Sequence, residues 1–258
     1  MLTIAIAVSV SEGLVLAADS RTTRWQQTPD DRFAEVLTDK AVKVFPLGRR
    51  AGAATYGRSD LRGLTIAALA GRFKLGRSEC PVDISALIAE FEAYLDRIEP
   101  AEAATAGSPT PQHDESIGFL VAGYGSDGAG RIYEIRWPQR ETQLLSTTEA
   151  PNYHWRGQGE AVTRLMKGVD ARIARSELDP QVASRLSAVE YSVALSQMSL
   201  HDAADFARLL GDAAIGIDRF VTGTIGGTKQ QHMVGGHLTI AAVTPEGFQV
   251  IPFSSSGE

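Results

Sequence analysis

The reading of this chain turns on "TIAIAVSVSEGLVLAADSR", residues 3–21. Across residues 2–10, large apolar Ile4, Ile6, Val8 and Val10 alternate with small or polar Thr3, Ala5, Ala7 and Ser9. A period of two with one greasy face marks a strand. Ser11-Glu12-Gly13 is a tight turn, and Leu14 to Ala18 returns as the partner strand, ending on Asp19. Thr3 heads the first arm of this hairpin and Asp19 closes the second.

Working outward, "KAVKVFPL" (40–47) and "AGAATYG" (51–57) form a second strand pair around Gly48-Arg49-Arg50. The segment between the two pairs, through Trp25, Pro29 and Asp31, reads as a polar loop. "DLRGLTIAALAGRF" (60–73) is expected as one helix and "VDISALIAEFEAYLDRI" (82–98) as a second. The second places Val82, Ile84, Leu87, Ile88, Phe91, Leu95 and Ile98 on one stripe. Residues 100–114 read as a surface loop. "IGFLVAGYG", "GRIYEIRW" and "TQLLST" form another strand group. Helical segments run from about Glu160 to Ile215, with Asp179-Pro180 as an N-cap and first-turn pair. "GGHLTIAAVTPEGFQVI" closes the chain as a hairpin on Pro245-Glu246-Gly247. Successive hairpins imply mainly antiparallel sheets, and the apolar helix stripes must cover them, which gives a layered α+β domain spanning residues 1–258.

Composition narrows the function classes. The 258 residues are 43% hydrophobic and 22% charged, an ordinary globular balance. A net charge of -6 without a Lys/Arg run argues against a nucleic-acid grip. Cys80 stands alone, so neither an intrachain disulfide nor a Cys-based metal site is spelled out. The five histidines, His113, His154, His201, His232 and His237, show no ligand spacing. No apolar run approaches a membrane span, and the start lacks a signal-peptide pattern, so a cytoplasmic chain is expected.

"TIAIAVSVSEGLVLAADSRTT" followed by "DKAVKVFPLGRRAGAATYGRSDL" resembles the opening of proteasome β-type subunits and their bacterial relatives, which are N-terminal-nucleophile hydrolases. Thr3 precedes Gly13 by ten residues and Asp19 by sixteen, and Lys43 precedes Gly57 by fourteen, all matching that family's intervals. The resemblance covers about the first sixty residues, with weaker agreement at the "GQGEA" helix start. It implies a four-layer αββα sandwich of two mainly antiparallel sheets between helix layers. It also implies a threonine protease that needs no metal or organic cofactor, assembled with copies of itself as a ring or helical stack. Whether an unfolding ATPase serves it is left open.

The chemistry of such a set can be stated from its parts. A Thr hydroxyl needs a base to become a nucleophile. A free α-amine on the same residue, with a pKa of about 7.7–8.0, can serve as that base. An ammonium at Lys43 would lower the amine's pKa, Asp19 would hold the lysine, and the Gly57 N–H would donate to an oxyanion. Arg21, Phe45 and Thr55 are the candidate substrate-binding residues: Phe45 shares its strand parity with Lys43, and Thr55 lies two residues before Gly57. Gln158, in Gly157-Gln158-Gly159, stands where family members usually carry a Ser, and Asp218 and Thr224 are looser candidates for closing the site.

Each residue alone has a plainer reading. Thr3 can simply pack in a strand, Asp19 can be a turn residue, Lys43 can decorate an edge and Gly57 can end a strand. As encoded, Thr3 carries Met1-Leu2 ahead of it, and an acylated amine is not a base. Activity therefore requires their removal. A proteasome-like subunit that assembles without catalysis is the competing reading, and a hydrolase of small amides is a third.

Overall fold

The computed structural model describes residues 3–27, 32–77, 83–100, 116–170, 173, 179–220, 223–225, 228–230 and 233–252. Strands β1 (Ile4–Val10) and β2 (Gly13–Asp19) form the expected hairpin, and every residue in both is buried. With β12 (Tyr153–Gly157), β15 (Leu238–Val243) and β16 (Phe248–Val250) they build a five-stranded sheet in the order β12-β1-β2-β15-β16. A second five-stranded sheet, in the order β11-β10-β9-β6-β5, contains β5 (Val44–Gly48), β6 (Ala51–Gly57), β9 (Ile117–Tyr124), β10 (Gly130–Trp137) and β11 (Glu141–Thr147). Neighbouring strands within both sheets run antiparallel.

The alternation in β1 decides what each face meets. Its large residues Ile4, Ile6, Val8 and Val10 pack in one cluster with Ala203, Ala207 and Leu210 of helix α5 (Leu200–Phe220). The small residues Ala5 and Ala7 belong to another cluster, with Val44, Ala54, Leu120 and Ala122 of the second sheet. Branched side chains therefore fill the gap to a helix, while methyl groups let two sheets approach. Thr3 shares the parity of Ala5 and Ala7. A third cluster joins Phe45, Leu47, Phe119 and Val121 to helices α1 (Ile66–Leu75) and α2 (Ile84–Ile98). Each fully buried Leu, Ile or Phe there contributes about 1.5–3 kcal/mol relative to exposure. Two shorter helices, α3 (Glu160–Lys167) and α4 (Pro180–Ser187), precede α5; Asp179 caps α4 by accepting from the Gln181 N–H.

Several elements differ from the sequence reading. The stretch expected as one helix from Asp60 begins as a small hairpin, β7 (Asp60–Leu61) and β8 (Leu64–Thr65). Arg62 and Gly63 both take positive φ in its turn, 49° and 76°, and α1 starts only after Thr65, whose side chain accepts from the Ala68 N–H. Most of the segment read as a polar loop instead contains β3 (Thr22–Gln27) and β4 (Arg32–Thr38), paired with each other. Strand β12, absent from that reading, pairs with β1 along an edge of the first sheet. A short pair, β13 (Gly223–Ile225) and β14 (Thr228–Gln230), follows α5. Val82, Cys80, His113 and His232 lie outside the described residues. Among the described residues, no helix is long and apolar enough to cross a membrane.

Candidate active site

Thr3 is fully buried immediately ahead of β1. Its carbonyl accepts the Gln158 N–H at 2.8 Å, and its neighbour Ile4 pairs with Gly157 at the end of β12. Gly157 has φ 84°, and a Cβ on it would stand 1.7 Å from the Thr3 carbonyl oxygen. Only glycine supplies both that backbone conformation and that clearance.

Lys43 precedes β5 by one residue. Its carbonyl accepts the Thr55 N–H at 2.9 Å, which holds its backbone against β6. Its ammonium reaches across to the first sheet, donating to Thr3 Oγ1 at 2.7 Å, to Asp19 Oδ1 at 2.9 Å and to the Arg21 carbonyl at 2.5 Å. An ammonium has three protons, and each has an acceptor here. The side chains of Lys43 and Asp19 are 4% and 0% exposed.

Asp19 is saturated on both oxygens. Oδ1 accepts from Lys43 and from the Ile4 N–H, and Oδ2 from the N–H groups of Arg21 and Gly235. Burial pushes its carboxyl above the ordinary range, opposed by Lys43 and these backbone donors. Burial pushes the Lys43 ammonium below its ordinary value, opposed by Asp19. Each charged form is thus supported by the other against the cost of burial.

Next to this pair, Arg21 holds Asp39 through a two-pronged contact, Nε to Oδ1 at 2.6 Å and Nη2 to Oδ2 at 3.0 Å. That bond keeps the Asp39 carboxyl below its usual range. Ser20 Oγ donates to the Asp39 carbonyl at 2.5 Å and accepts from the His237 N–H at 2.9 Å. The sequence reading gave Asp39, Ser20, Gly235 and His237 no role in the site; Gly235 and His237 reach Asp19 and Ser20 only because the residues entering β15 run beside the end of β2.

A cavity of about 470 Å³ opens beside Lys43, lined also by Thr22, Thr55, Tyr56 and Gly57. Thr55 Oγ1 donates to the Gly118 carbonyl at 3.2 Å. Gly57 has φ 82°, and a Cβ there would come within 2.3 Å of the Ser116 carbonyl. Lys40, the competing lysine, is exposed at the cavity rim. Phe45 is not a wall of this cavity. It packs into the helix-side cluster with Leu47, Leu69 and Phe91, because β5 begins at Val44 and strand alternation does not extend back to Lys43. Arg21 is not among the lining residues either; its guanidinium is engaged by Asp39 and crowds Gly235.

Neither a protein-family model nor a curated protein matches the sequence. Among solved structures, the chain is similar to a mutant of Anbu from Hyphomicrobium sp. strain MC1. The two are 16% identical with a TM-score of 0.55, over 99% of this chain and 89% of that one. The fold is proteasome-like.

Within that fold, the looser candidates take unequal places. Gln158 meets Thr3 through its backbone N–H. Asp218, on α5, accepts the Val234 N–H at 3.0 Å, one residue from the Gly235 N–H that binds Asp19. The side chain of Thr224 lies outside the described residues, as do Met1 and Leu2. Among the described residues, no three His, Cys, Asp or Glu side chains gather as metal ligands would.

Proposed function

We propose that this chain is a threonine-nucleophile amide hydrolase of the proteasome-like N-terminal-nucleophile class, acting on peptide bonds once the Leu2–Thr3 bond has been cut. The observation that carries the reading is the buried Lys43 ammonium bridging Thr3 Oγ1 and Asp19 Oδ1 at 2.7 and 2.9 Å. In this mechanism the freed Thr3 amine takes the hydroxyl proton as Oγ1 attacks the scissile carbonyl. Lys43 stabilises the developing negative charge on Oγ1 and keeps the amine neutral. The Gly57 N–H is the donor assigned to the oxyanion, a contribution of roughly 2.7–4 kcal/mol where one such donor has been removed elsewhere. The amine then protonates the leaving nitrogen, the C–N bond breaks, and water attacks the Thr3 ester to release the acid.

The cavity beside Lys43 supports binding of a substrate side chain, with Thr55 at its wall. The three core clusters, helix to sheet, sheet to sheet and sheet to helix, support a four-layer αββα sandwich built as one domain. A cytoplasmic homo-oligomer, as a ring or helical stack, completes the proposal. Intact-mass analysis should show Met1-Leu2 absent from the mature protein, and Thr3→Ala should abolish labelling by a threonine-directed electrophile. A wild-type protein that keeps both residues and ignores the electrophile would leave only the competing reading, a non-catalytic proteasome-like subunit. That reading is favoured by the acylated Thr3 nitrogen of the encoded chain.

A further inference from the structure

Two glycines held at positive φ flank the candidate site, Gly57 at 82° and Gly157 at 84°, one from each five-stranded sheet. The residues immediately before them converge on one carboxylate, that of Glu134 in β10. Arg156 donates to it with Nε at 2.7 Å and Nη2 at 2.6 Å, and the Tyr56 hydroxyl donates to the same Oε1. Glu134 is 6% exposed. Arg156 Nη1 is also tied to the Trp155 carbonyl at 2.9 Å. The Tyr56 ring lies flush over Gly118, where a Cβ would come within 2.0 Å of it, so the ring has little room to shift.

A buried ion pair is a poor source of stability compared with apolar residues of equal volume. What a two-pronged Arg–carboxylate contact supplies is a fixed distance and angle. Here it spans the two sheets, with Arg156 opposite Ala5, two residues along the chain from Thr3. On one side it anchors Tyr56 and hence Gly57 in the cavity wall. On the other it anchors Arg156 and hence the Gly157-Gln158 backbone that holds the Thr3 carbonyl.

We infer that Glu134 is a positioning residue: acting through Tyr56 and Arg156, it sets the separation between the Gly57 wall and the Thr3 cradle. Its kinetic consequence rests on the hydrolase reading above; its geometric consequence does not. Glu134 touches neither Thr3 nor the cavity, so its loss should act on turnover more than on substrate binding.

The test pairs two readouts in Glu134→Gln, with Tyr56→Phe as the milder variant should the first fold poorly. Amide hydrogen exchange at Gln158 reports opening of the cradle whether or not the protein is active. It should accelerate about tenfold in Glu134→Gln and about threefold in Tyr56→Phe. The exposed pair between Arg136, further along β10, and Glu141 on β11 serves as control, and Glu141→Gln should leave exchange unchanged. In active wild type, kcat should fall about tenfold in Glu134→Gln with KM within about twofold. Unchanged Gln158 exchange in both folded variants overturns the inference, as does a loss confined to KM. Accelerated exchange in a protein whose wild type is inert to substrates and to the threonine electrophile upholds the positioning role and sinks the hydrolase reading.

Discussion

Replacing Lys43 by Met removes a charge at nearly constant volume and isolates the central feature of the site. Asp19 would keep its backbone donors from Ile4, Arg21 and Gly235 but lose the Lys43 ammonium at 2.9 Å. Breaking a buried pair from one side costs about 3–5 kcal/mol because an uncompensated charge stays behind. With a urea slope of about 3 kcal/mol/M, a cost of ~4 kcal/mol lowers the unfolding midpoint by about 1.3 M. The sign with pH follows from linkage. Without Lys43, the folded-state pKa of Asp19 rises further above its unfolded value of 3.8, so the native state gains a proton more readily than the unfolded one. The penalty should therefore be complete above the raised pKa and shrink as pH falls through it towards 3.8. Adding Asp19→Asn to Lys43→Met removes the stranded charge and keeps an acceptor, and it should restore about 1–3 kcal/mol at neutral pH. Urea titrations of wild type, single and double variants between pH 4 and 8 give all of these quantities. A single variant that loses under 1 kcal/mol and shows no added pH dependence would refute the claim that the pair is buried and charged.

Other outcomes follow from individual positions. Gly157→Ala should be grossly destabilised, since the left-handed backbone alone costs about 1–2 kcal/mol and the new methyl would collide with the Thr3 carbonyl; thermal unfolding checks it. Phe45→Ala should cost about 3–5 kcal/mol as a core truncation and leave the ranking of peptide substrates unchanged, because the ring faces α1 and α2. Thr55→Val should lose about 1 kcal/mol with its bond to Gly118 and change KM for substrates whose side chain enters the cavity, read from steady-state kinetics. Burial, helped by nearby Arg156, pushes His154 down from 6.5 to about 4. Its contribution is present above pH 6.5 and is lost as pH falls towards 4, so His154→Gln should flatten the acid limb of a Tm-against-pH curve in that window.

The hairpin 4–19 was legible in the sequence because alternation, turn residues and burial all agree there, with no competing local preference. The second helix was equally plain, its apolar stripe lying against the second sheet. The start of the first helix was not, since Gly63 and Thr65 outrank the apolar run around them: one allows the turn, the other caps the helix behind it. Strand β12 was hidden because Tyr153, His154, Trp155 and Arg156 are each partly exposed at a sheet edge, where the apolar alternation of a buried strand is not required.

For the candidate site, the sequence by itself determined which functional groups were available: a hydroxyl, a carboxylate and an amine near the ends of strands, with Gly57 at the end of another. Strand periodicity also gave Thr3 the parity of the small residues Ala5 and Ala7. Only the tertiary structure decided that forty residues of chain separation between Thr3 and Lys43 collapse to 2.7 Å, that Phe45 turns away, and that Gly235 and Glu134 take part. The reason is physical. Local pattern fixes which way a side chain points within its own strand, whereas the distance between two sheets is set by the packing of residues that no interval in the sequence connects.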